Sequence, residues 1–89
     1  GIGGGVAEVV GRKLQEVSGN HQVLVITHLP QIARLARQHY SVRKKEAGGR
    51  TQTEVLELDE TARREEIAGL LAGESISDTA RQHAREMLE

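Results

Sequence analysis

Large aromatic side chains are almost missing from this sequence: 89 residues contain no Trp, no Phe and a single Tyr. A core built without them draws on Val, Leu, Ile and Ala, and each buried Val, Leu or Ile contributes roughly 1.5–3 kcal/mol. A chain of this length then has only a thin core, which suits one lobe of something larger better than a self-sufficient domain. Cys is absent as well, so no disulfide framework exists. The four histidines, His21, His28, His39 and His83, are scattered without metal-ligand spacing, and no metal site is expected within the chain. No apolar run approaches the roughly 20 residues of a membrane span, and there is no signal-peptide pattern. These absences together describe a cytoplasmic protein with no membrane partner. Excess charge is missing too. The net charge is −1 and the two signs are interleaved, which argues against a module that grips nucleic acid through bulk basicity.

What is present reads as an α/β pattern. The chain opens on Gly rather than Met, in "GIGGGVAEVV", as a cut inside a domain would. Val6, Val9, Val10, Leu14 and Val17 recur at helical spacing and predict a helix over about 6–17 with those residues facing a core. Glu8–Arg12 and Arg12–Glu16 are i, i+4 pairs on its other side, and Gly19 suits a left-handed cap. The run "QVLVIT", Gln22–Thr27, is continuously apolar through Ile26, which predicts a parallel core strand covered on both faces. Pro30 fits the first turn of a second helix reaching about Arg37. Residues 39–58 then alternate apolar with polar around Gly48-Gly49, predicting an antiparallel hairpin at a sheet edge. Residues 59–89 hold two terminal helices, the first capped by Asp59 and ended by Gly73, the second capped by Ser77. There is no internal repeat.

Several short stretches carry possible chemistry. Ligands of open α/β sheets bind beyond the carboxyl ends of parallel strands, where Thr27 and His28 fall. His28 there can donate to an anionic oxygen or orient a water; the alternative is a histidine that caps or bonds locally. "GIGGG" lacks the Lys-Ser/Thr ending of a phosphate-binding loop, and no strand precedes it. Its glycines permit close approach of an anion or partner loop at a helix N-terminus, or they form a flexible entry to the helix. "VLELDE" imitates a magnesium-binding strand, but Glu57 interrupts the apolar run, so Asp59 reads as a helix cap. Arg43, Lys44, Lys45 and Arg50 make the hairpin locally basic, either for DNA phosphate or simply as a solvated surface beside Glu46 and Glu54.

Taken together, "GIGGGVAEVVGRKL", "QVLVITHLPQIARLARQHYSVRK", "GRTQTEVLELD" and "EEIAGLLAGESISDTARQHAREML" resemble, in order, the C-terminal part of the RecN family of DNA repair proteins. That family lies in the SMC-like branch of the ABC ATPases, whose heads are P-loop NTPase domains that hydrolyse ATP as dimers. The resemblance implies that 1–89 is the C-terminal lobe of such a head. Residues 1–5 would be the D-loop, with Gly1, Ile2, Gly3 and Gly4 at the dimer contact. His28 would be the switch histidine beside the γ-phosphate, with Thr27 next to it at the nucleotide.

The same resemblance implies ATP and Mg as cofactors, with the metal ligands outside this chain. It implies the rest of the head, a second head and DNA as partners, in a nucleoid-associated bacterial protein. The phosphate-binding loop, signature motif and catalytic acids of the family are not in these residues, so the segment alone is expected to be inactive. Two other readings stay open: a non-enzymatic protein-interaction lobe, and a head fragment of another ABC ATPase such as a transporter.

Overall fold

A computed structural model describes residues 4–73 and 75–89. Its elements run α1 (Gly4–Val17), α2 (Pro30–Ala33), β1 (Tyr40–Ala47), β2 (Arg50–Glu57), α3 (Glu60–Ala72) and α4 (Asp78–Leu88). Helices and a sheet are therefore both present, as the sequence pattern requires, and the residue spans of five elements fall close to expectation.

The core lies between α3 and α4, with α2 laid against it. Ile67 and Ala68 of α3, Ala80 and Ala84 of α4 and Ala33 of α2 are buried together, flanked by Leu70, Leu71, Ile76, Met87 and Leu88. Four alanines in that cluster let the backbones come close, and Ile67 is the largest side chain fully buried. Both terminal helices begin on their expected caps. The Asp59 carboxylate accepts the Ala62 N–H at 2.8 Å, and Ser77 Oγ accepts the Ala80 N–H at 3.1 Å, each satisfying a donor that a helix start leaves unpaired. Gly73 ends α3 at φ 75°. Arg81 joins the two helices through a bidentate pair with Glu65, at 3.1 Å for both Nε–Oε2 and Nη2–Oε1.

The hairpin forms within the expected residues. Val42 faces Val55 and Arg43 faces Glu54 across the antiparallel pair. Gly48 and Gly49 turn the chain at φ 59° and 76°, the paired positive φ that a two-residue loop needs.

At three places the described residues depart from expectation. First, the parallel core strand is absent among the described residues: 22–27 joins no ladder, and the one sheet has just β1 and β2. Leu24 is 84% exposed and Ile26 97%. A parallel strand needs a neighbour reached through a crossover, whereas β1 and β2 find one another through a tight turn. Among the described residues the hairpin is accordingly a two-stranded ribbon with no further strand paired to it.

Second, the valine face of α1 is open, with Val9 68% exposed. The helix docks instead through Ala7 and Gly11. A Cβ on Gly11 would stand 2.7 Å from Leu35 Cδ1 and 3.5 Å from the Ile32 Cα, so glycine is what allows α1 to lie directly on the chain after α2. Beyond α1, Gly19 and Asn20 continue in tight turns onto the Glu16 and Val17 carbonyls. The described glycines at positive φ are Gly48, Gly49 and Gly73, so Gly19 is not a left-handed cap.

Third, α2 stops at Ala33, short of Arg37. The next N–H groups bond three residues back, Leu35 to Ile32 and Ala36 to Ala33. Arg63 reaches into this stretch: its Nη2 lies 3.3, 3.1 and 2.6 Å from the oxygens of Ala33, Arg34 and Ala36, of which the first also accepts the Ala36 N–H.

Candidate switch site at the Thr27–Pro30 turn

The apolar run ends in a local turn closed by one side chain. Thr27 Oγ1 accepts the Leu29 N–H at 3.0 Å, a hydroxyl-closed turn that reverses the chain within two residues. Pro30 follows, buried, at the first position of α2, where its missing N–H costs nothing and its fixed φ suits the helix. Between these two fixed residues stands His28, exposed to solvent. Its imidazole is thus carried on a short arm with both ends held. Thr27 serves the turn through its oxygen, leaving its hydroxyl proton to donate elsewhere.

The supports of this arm were only partly visible in the sequence. The helix after His28 has four residues, too few to hold itself. α1 grips it from one side: Glu8 pairs with Arg34, Gln15 Nε2 donates to the Leu35 carbonyl at 3.4 Å, and Gly11 receives Leu35. Hydrogen bonding from Arg34, with a further contribution from Arg12, holds the Glu8 carboxyl below its ordinary range. Sequence spacing foretold only the Glu8–Arg12 half of that arrangement, present at 3.1 Å. The expected Arg12–Glu16 pair is not made; Arg12 reaches Gln15 and Glu16 pairs with Lys13. Gripping from the other side is Arg63, which sequence reasoning did not single out; a cationic residue one turn into a capped helix gives no signal of its own.

Of the other expected site residues, Gly4 opens α1, while Gly1, Ile2 and Gly3 lie outside the described residues. Among the described residues no group of His, Asp and Glu could hold a metal ion, and no helix is long and apolar enough to cross a membrane.

A separate cleft of about 400 Å³ lies at the hairpin base, lined by Arg37, His39, Glu57, Asp59, Arg63 and Arg85 among others, but by neither Thr27 nor His28. In it, His39 Nδ1 and Arg63 Nε are buried without a hydrogen-bond partner. Burial, and next the Arg63 charge, push the His39 pKa below 6.5, against the opposing pull of Glu66. A depressed folded-state value means that the unfolded chain takes up the proton first. Stability is accordingly full above pH 6.5 and falls as the pH drops below it toward the folded value. Urea unfolding midpoints measured across that range are expected to decline with acid, and the decline is expected to vanish in His39→Gln.

No protein-family model matches the chain. Curated relatives do. It is 42% identical over all 89 residues to the DNA repair protein RecN of Halalkalibacterium halodurans and 39% identical over 89 residues to that of Bacillus subtilis. It is 47% identical over 88 residues to the RecN of Deinococcus radiodurans. The chain spans 15–16% of the length of these relatives. Matched along essentially its whole length to the C-terminal part of such proteins, the chain belongs to the RecN family.

Proposed function

We propose that this segment is the C-terminal lobe of the ATP-hydrolysing head of a RecN-type protein acting in DNA double-strand break repair, and that His28 is its switch histidine. The observation that carries this reading is the Thr27–Pro30 turn, which holds His28 exposed at the end of an apolar run within a segment matched throughout to RecN. In the complete head the run 22–27 would join a parallel sheet. That explains why Leu24 and Ile26 are apolar yet uncovered here.

ATP supplies the phosphoryl group that is transferred to water. His28, exposed and free to donate, suits an interaction with a γ-phosphate oxygen, and Thr27 fixes where the ring stands. Donors placed ahead of the reaction act where charge develops, so His28 works electrostatically and forms no covalent bond. Among the described residues no group of His, Asp and Glu could hold a metal ion, and the magnesium ligands would lie outside this segment. The glycines at 1–4 would approach a second head as a D-loop. DNA would be engaged by the assembled protein, in the bacterial cytoplasm and on the nucleoid.

A phosphate-cradling lysine and metal ligands are needed for tight nucleotide binding, and both would come from outside this segment. Calorimetric titration of Mg-ATP is therefore expected to give no binding to the 89-residue segment and clear binding to the full-length protein. Micromolar affinity of the segment alone would overturn the half-head reading.

A further inference from the structure

We propose that Arg63 is a positioning residue for His28, locking the end of α2 to α3 so that the α3–α4 pair sets where the switch histidine stands. The proposal rests on the reading of His28 given above.

The geometry is specific. From the first turn of α3, the Arg63 guanidinium places Nη2 within reach of three carbonyls at the end of α2, those of Ala33, Arg34 and Ala36. The Ala33 oxygen also accepts the Ala36 N–H, whereas those of Arg34 and Ala36 take no backbone donor among the described residues, as acceptors at a helix end commonly do not. A cation there also meets the negative end of the helix. Ala33 lies only five positions after His28, and two residues of the stretch 29–33, Pro30 and Ala33, are buried. Displacement at Ala33 thus has little slack to absorb it before reaching the imidazole. A helix of one turn has no cooperative stability to resist such displacement, so its position is dictated by its two anchors, α1 and Arg63. The arginine is committed to this role: it is half-buried, makes no ion pair among the described residues, and spends its hydrogen bonds on those carbonyls.

The coupling is testable by a double-mutant cycle in the full-length protein, with ATP turnover as the readout. Arg63→Ala is expected to lower kcat about 10- to 100-fold, the scale of a small misplacement of a reacting group, with KM for ATP changed less than about 2-fold. In a His28→Ala background the same change is expected to cost nothing further, because the group it positions is gone. Equal losses in both backgrounds, or no loss in either, would overturn the coupling while leaving the role of His28 intact. Normal turnover in His28→Ala would overturn the reading of His28 and the coupling with it. If Arg63→Ala does not fold, Arg63→Lys carries the same cycle. It keeps the stem and a cationic donor, so a smaller loss is expected, again only where His28 is present; a loss independent of His28 overturns the proposal.

Discussion

Replacing His28 by alanine in the full-length protein is expected to slow ATP hydrolysis by on the order of 10²–10³-fold while leaving nucleotide affinity nearly unchanged. The asymmetry follows from where the imidazole acts. Bound ATP already carries its negative charge and finds most of its partners elsewhere, so one donor contributes little to holding it. As the phosphoryl group moves, charge redistributes over its oxygens, and a donor fixed in advance is worth most then. The backbone at His28 is held in advance here, by the Thr27 hydroxyl on one side and buried Pro30 on the other. Turnover and nucleotide binding should be measured on the same preparation. Equal losses in both would assign His28 a ground-state or purely structural role.

The second large effect concerns the core. Ile67→Ala is expected to destabilise the folded segment by about 2–5 kcal/mol. Domains of this size are stable by roughly 0.05–0.15 kcal/mol per residue, so the loss removes much of the total. Ile67 is wholly inaccessible and its neighbours Ala68, Ala80, Ala84 and Ala33 are too small to close over the gap. The contrast is Ile26→Ala, chemically the same change at a side chain 97% exposed, where no measurable loss is expected in the isolated segment. Urea titrations of the two variants side by side provide the check. Similar midpoints would place the core somewhere other than between α3 and α4.

Those two isoleucines also show what the sequence could and could not say. Caps and turns were legible because they depend on a few adjacent residues. Asp59, Ser77, Gly73 and the Gly48-Gly49 turn all act within three or four positions of themselves. Burial was not legible in the same way. The valines of α1 and the run 23–26 have the spacing and composition of core residues, and apolar spacing states which face seeks cover without stating what provides it. The helix settled on its small residues, Ala7 and Gly11, which no count of large apolar side chains would select. The turn that carries His28 was legible through its neighbours Thr27 and Pro30. Its outer support, Arg63, was not, since 30 positions separate that side chain from the Ala33 carbonyl it reaches.

The uncovered run has a consequence for handling the protein. Gln22–Thr27 is a six-residue stretch with no charge, no proline and no glycine, rich in β-branched residues. That is the composition from which dry, self-stacking strand interfaces are built. No charged residue interrupts it as a gatekeeper, and Leu24 and Ile26 within it face water. Whatever would cover this run in a complete head would also keep copies of the protein apart, so a sheet that presented His28 would double as protection against self-association.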